Sequence, residues 1–152
     1  MRNILYVNAC VTREVDSRTT QLAQAYLKKS LEKEECNLTT LTLENIDLQP
    51  LTGASLAERE KAILQGDFSA ESFALARTFA AADEVVIAAP YWDMSFPASL
   101  KLYVEQLCVN KLTFCYGENG MPRALTNVKK LLYLTSSGGY IGKNNSRWMR
   151  QN

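Results

Sequence analysis

Ala88-Ala89-Pro90-Tyr91-Trp92-Asp93-Met94-Ser95-Phe96-Pro97 follows the β-branched run Val85-Val86-Ile87 and precedes an amphipathic run with Leu100, Tyr103, Val104 and Leu107. It reads as a loop that leads from a strand into a helix. Open α/β sheets take their ligands at the carboxyl ends of their strands. Here two large aromatics, an acid and a methionine gather at such an end. Their ring faces, with the backbone amides, suit a flat and partly polar group, and a flavin is the first candidate. Aromatics at a strand end also serve to close a core. The residues alone leave both readings open.

Outward from this loop, strands and helices alternate. Ile4-Leu5-Tyr6-Val7 is an apolar run suited to a central parallel strand buried on both faces. A polar segment over residues 8–16 leads to a helix with Leu22, Ala23, Tyr26, Leu27 and Leu31 on one side and Lys28, Lys29, Glu32 and Glu34 on the other. Residues 38–43 predict a second strand. Ser55 and Glu58 have capping-box spacing and predict a short helix over 56–64, which Gly66-Asp67 ends. Ser69 is the expected cap of a helix carrying Phe73, Ala76, Phe79 and Ala80 at helical spacing. Residues 84–89 form the expected third strand. Leu112-Thr113-Phe114-Cys115-Tyr116 alternates ahead of a turn at Asn119-Gly120, and residues 130–134 give a fourth sheet strand. The alternation predicts an α/β fold whose parallel sheet is covered on both faces.

Composition narrows the function. A chain of 152 residues with 47% apolar and 22% charged residues suits one globular domain, able to bury roughly 70% of its unfolded surface. We expect that domain over residues 1–142 and a polar tail over 143–152. A net charge of +1 supplies no basic stripe for nucleic acid. Histidine is absent, which removes Ser/His and Cys/His nucleophilic sites and the commonest metal ligand. Cys10, Cys36, Cys108 and Cys115 show no C-x-x-C spacing, so no metal site is expected and reduced thiols in the cytoplasm are. Met1-Arg2-Asn3 runs directly into the first strand, and neither a secretory signal nor a membrane span is expected.

Two further strand ends invite comparison. After the first strand, Asp16-Ser17-Arg18-Thr19-Thr20-Gln21 opens a helix. Its unpaired amides and partial positive charge suit a phosphate, with hydroxyls and the Arg18 cation beside them. The helix dipole alone supplies only about 0.3–1 kcal/mol, so several donors have to act together. The plainer reading is that Asp16 or Ser17 simply caps the helix. Neither G-x-x-x-x-G-K-[ST] nor G-x-G-x-x-G is present, which favours a single terminal phosphate such as that of FMN over ATP. After the fourth strand, Ser136-Ser137-Gly138-Gly139-Tyr140 offers small residues and free amides, or else a plain glycine turn.

With APYWDMSFPASLKLYVEQL (89–107), LTFCYGENG (112–120), KKLLYLTSSGGYI (129–141) and DSRTTQL (16–22), the chain resembles the flavodoxin-like FMN-dependent NADH:quinone oxidoreductases and azoreductases. The resemblance implies a three-layer flavodoxin-like sandwich with strand order 2-1-3-4. It implies FMN as cofactor and NAD(P)H as co-substrate, with a small-molecule acceptor, no membrane partner and a homodimer. By position it implies phosphate contacts at Ser17, Arg18 and Thr19, with Cys10 nearby where relatives often carry serine. Ring contacts would come from Tyr91, Trp92, Asp93 and Met94, and from Ser136, Ser137, Gly138 and Gly139. Tyr116 becomes a candidate acceptor contact, although Leu112, Phe114 and Tyr116 equally fit core alternation.

Two departures from that pattern carry expectations. Asp93 stands where azoreductases tend to have asparagine, and a carboxylate there disfavours an anionic reduced flavin. Relatives continue past the glycine loop with a helix and a fifth strand, so that strand is expected to be missing and strand four to form an edge. The leading reading is a hydride-transferring FMN oxidoreductase. The alternatives are a flavodoxin-type electron carrier, which the near-neutral charge disfavours, and a shortened remnant with impaired FMN binding.

Overall fold

The computed structural model describes residues 1–12 and 17–139. The expectations placed on Asp16, Tyr140 and the tail from residue 143 lie outside the described residues, as does the expected domain boundary. The element order is β1 (Arg2–Asn8), α1 (Arg18–Lys33), β2 (Cys36–Thr42), α2 (Gly53–Gln65), α3 (Ala74–Ala81), β3 (Glu84–Ala88), α4 (Ala98–Leu107), β4 (Phe114–Tyr116), β5 (Pro122–Ala124) and β6 (Lys130–Leu134). Four strands form one parallel sheet in the order β2-β1-β3-β6. Since β6 is the fourth strand read from the sequence, the observed order is the expected 2-1-3-4.

The pleat divides the core into two faces. Leu5, Val7, Val85 and Ile87 meet Leu100, Tyr103 and Leu107 of α4, with Phe79 of α3 beside them. On the other face Ile4, Tyr6, Val86 and Ala88 meet Ala23 and Leu27 of α1. Side chains two apart share a face, so each central strand feeds both layers and must be apolar throughout. Three layers follow. β6 is an edge strand among the described residues, and its Leu131 and Tyr133 are exposed.

Several local expectations need correction. The buried stripe of α1 is Thr19, Ala23, Leu27 and Ser30, which leaves Leu22 and Leu31 exposed on its flanks. Two hydroxyl residues hold places where apolar ones were sought. The capping box of α2 is formed by Thr52 and Ser55, so the helix starts earlier than predicted. Gly66 ends it at φ +68, a left-handed conformation that glycine adopts without penalty. Ser69 caps no helix; its amide donates to Asp67 Oδ1 at 2.9 Å, and a 3-10 turn over Glu71–Phe73 with Ala70 as its cap leads into α3. The strand read over 112–116 begins only at Phe114 and pairs with β5 as an antiparallel hairpin outside the main sheet.

Candidate functional site

The carboxyl ends of β1, β3 and β6 open into one cavity of about 380 Å³, lined by Cys10, Val11, Ser17, Arg18, Thr19, Pro90, Tyr91, Trp92, Ser136, Ser137 and Gly138. That volume lies within the roughly 300–1,000 Å³ usual for small-molecule sites. Nine of the candidate residues therefore share one space. Asp93, Met94 and Gly139 follow directly in the chain but do not line it, and Tyr116 sits apart on β4.

At the β1 end, Ser17 is the N-cap of α1. Its hydroxyl accepts the Thr20 amide at 3.1 Å, and its carbonyl accepts the Gln21 amide at 3.0 Å. The N–H groups of Arg18 and Thr19, first in the helix, have no intrahelical acceptor. Capping by Ser17 and an anion site are thus compatible. Thr19 borders the cavity but is fully buried, and its hydroxyl lies 2.6 Å from Ser136 Oγ. Cys10 is buried; its amide donates to Asn8 Oδ1 at 3.0 Å, and its thiol lies 3.8 Å from the Ala88 carbonyl. Glu44, in a 3-10 turn over Leu43–Asn45, accepts the Thr12 amide at 3.1 Å and also the Thr12 hydroxyl. Both contacts hold the Glu44 carboxyl below the usual range. This clamp fastens the segment leaving β1, and no sequence signal pointed to it, because its halves lie 32 residues apart.

The aromatic loop is more ordered than a plain connection. Trp92 N–H donates to Ser95 O at 2.9 Å, and Ser95 N–H returns to Trp92 O at 2.7 Å. Asp93 and Met94 occupy the two central positions at φ 48° and 64°. This is the left-handed pair of a type I′ turn, normally given to Asn-Gly. Aspartate tolerates it, whereas methionine is strained there by about 1–2 kcal/mol. Tyr91 and Trp92 remain partly exposed beside the cavity rather than closing the core. The Tyr91 amide donates to Ser136 O at 3.0 Å and the Ala89 amide to Leu134 O at 3.0 Å, which ties this loop to the glycine loop. In that loop the Ser137 hydroxyl donates to Gly139 O, and a side chain at Gly138 or Gly139 would meet nothing within 4 Å.

Tyr116 is 62% exposed and packs edge-on against Phe114 with ring centroids 5.5 Å apart. Neither ring belongs to the buried core.

Charge is concentrated at the opposite end of the sheet. Glu84, first in β3, is 2% exposed and lies 3.2 Å from Arg2 and 3.3 Å from Lys130. The Tyr26 hydroxyl donates to Glu84 Oε1 at 2.5 Å. Hydrogen bonds to Tyr26 and Glu84 hold the Lys130 ammonium above its usual value. Among the described residues, no cluster of His, Cys, Asp and Glu could hold a metal, and no helix is long and apolar enough to cross a membrane.

The parallel order β2-β1-β3-β6, with ligand-sized space at its carboxyl end, defines a flavodoxin-like α/β protein, and a profile of the flavodoxin-like fold matches residues 2–151. The FMN-dependent NADH:quinone oxidoreductase 2 of Clostridium perfringens strain 13 is 36% identical over 149 residues, covering 91% of this chain and 70% of the relative. The azoreductase of Bacillus anthracis strain Sterne has a similar crystal structure, with TM-score 0.78 at 25% identity over 96% of this chain and 74% of that one. An FMN-dependent NADH-azoreductase of Bacillus anthracis strain Ames Ancestor, solved in complex with FMN, shares the fold at TM-score 0.74 and 18% identity, covering 99% and 75%. The chain belongs to the family of FMN-dependent NADH:quinone oxidoreductases.

Proposed function

We propose that this protein binds FMN and passes reducing equivalents from NADH or NADPH to small acceptors such as quinones or azo compounds. The observation that carries the reading is the convergence of three strand-end loops on one cavity. The donor set suits FMN. The free amides of α1, the Ser17 hydroxyl and the Arg18 cation suit a single phosphate, and Thr19 and Cys10 wall that end. Tyr91 and Trp92 offer partly exposed ring faces, while Gly138 leaves open space and Ser136 and Ser137 offer polar groups for a ring edge. Asp93 and Met94 adjoin that ring end, while Gly139 lies one residue beyond the lining.

Bound FMN supplies hydride and electron transfer, which none of these side chains performs. The chain's own task is to hold the phosphate, fix the ring plane and set the local charge. A protein without histidine can do all three. Tyr116, exposed on the β4–β5 hairpin, is the proposed acceptor contact, reaching the site of a second copy in a homodimer. Four unpaired cysteines support a reducing, cytoplasmic setting.

The test is to load purified protein with FMN, add NADH anaerobically and then add menadione or methyl red. The flavin absorbance should appear, bleach and return. A protein that takes up no flavin refutes the reading, and a flavoprotein that NADH cannot bleach favours an electron carrier.

A further inference from the structure

The resemblance implies a phosphate contact at Thr19, yet its side chain is fully buried, and its hydroxyl lies 2.6 Å from that of Ser136, 117 residues away. Ser136 is engaged twice, because its carbonyl also accepts the Tyr91 amide at 3.0 Å. Thr19, Ser136 and Tyr91 therefore form one hydrogen-bonded chain across the loops that follow β1, β6 and β3. A hydroxyl supplies one donor and two acceptor sites, and burial leaves Thr19 few partners other than Ser136.

We infer that the Thr19 hydroxyl is a positioning group, not a phosphate ligand: through Ser136 it holds the phosphate end and the ring end of the cavity in one register. This rests on the FMN reading above and adds to it which residue couples the two ends. Losing the Thr19 hydroxyl should loosen both ends at once, whereas losing a phosphate ligand would weaken only phosphorylated flavin.

The experiment compares Thr19→Val, Thr19→Ser and Ser136→Ala with wild type, measuring dissociation constants for FMN and riboflavin and the hydrogen-exchange rate of the Tyr91 amide in the flavin-free protein. Thr19→Val should weaken FMN and riboflavin by the same factor, about tenfold. It should also raise Tyr91 exchange about tenfold while leaving the Val86 amide in mid-sheet unchanged. Thr19→Ser should restore both, and Ser136→Ala should match Thr19→Val in Tyr91 exchange, the double variant adding little to that exchange. Loss of FMN affinity with riboflavin unaffected, unaltered Tyr91 exchange in Thr19→Val, or full additivity overturns the inference. If Thr19→Val fails to fold, Ser136→Ala decides through Tyr91 exchange in the flavin-free protein, where a ring contact of Ser136 has no part. A wild type that binds neither flavin overturns the functional reading and this inference with it.

Discussion

Replacing Gly138 by alanine separates the fold from the site. A Cβ at Gly138 meets no atom within 4 Å, and its φ lies outside the left-handed region. Such a substitution restricts the unfolded chain at no native cost and should stabilise the flavin-free protein by about 0.4–1 kcal/mol. That corresponds to a rise in Tm of about 1–4 °C for a chain of this size. Gly138 also lines the cavity, so its new methyl enters volume that the cofactor would occupy. Overpacking of this kind costs about 1–3 kcal/mol, or about 5- to 150-fold in FMN affinity. Gly139 is the matched control, equally open and equally free of positive φ but not lining the cavity. Gly139→Ala should leave affinity within about twofold. Thermal unfolding and FMN fluorescence quenching of both variants give the answer. Equal FMN affinity in Gly138→Ala and wild type would refute the placement of the flavin against this turn.

Glu84→Gln should cost about 1–3 kcal/mol, since Tyr26, Arg2 and Lys130 lose their charged acceptor while both cations keep access to solvent, and lower Tm by roughly 2–12 °C. Lys130→Met, at a side chain 53% exposed, should cost about 1 kcal/mol or less; equal losses in urea unfolding would show that burial of Glu84 does not set the cost. Acid should weaken the fold through Asp83, whose carboxyl the Asn3 amide and Lys129 hold below its ordinary value. The unfolded chain then binds protons more readily, so this stabilisation is whole above about pH 4 and fades as pH falls through the lower folded pKa. Asp83→Asn should flatten the decline of the urea midpoint below about pH 4, and an undiminished slope would remove Asp83 from the account. Asp93→Asn should raise the midpoint potential of bound FMN by removing a negative charge near the ring end, and spectroelectrochemical titration showing no shift would count against that proximity.

The sheet was legible because its central strands must be apolar on both faces. Ile4 to Val7 and Val85 to Ile87 have no alternation to misread, and both are buried throughout. What escaped depends on contacts between residues distant in sequence or on backbone conformations without the usual residues. The Asp93-Met94 turn adopts the left-handed pair without glycine, so no turn signal marked it. β5 is Pro122-Arg123-Ala124, with no β-branched or aromatic residue, and becomes a strand only by pairing with Phe114 to Tyr116. Thr19 and Ser30 hold buried places on α1 that a search for apolar periodicity passes over. The three loops at the site were readable singly. That Thr19 reaches Ser136 and Glu44 reaches Thr12 was not, because hydroxyl and carboxylate partners leave no periodic trace.

A parallel sheet has two unlike ends, and this chain uses them differently. At the amino end the buried Glu84 draws Arg2, Lys130 and Tyr26 together, linking β3 to β1, β6 and α1. At the carboxyl end the same elements diverge into loops; Thr19, Ser136 and the Tyr91 amide join those after β1, β6 and β3 through neutral groups, and Glu44 clamps Thr12 further out. A further anion beside a phosphate or a reduced flavin would oppose the ligand's own charge, whereas neutral groups orient loops without adding a field. Glu84→Gln should therefore lower stability while sparing flavin affinity in the protein that remains folded. Gly138→Ala should do the reverse. If one substitution lowered both stability and flavin affinity, the two ends would be coupled through the strands, and their separation would fail.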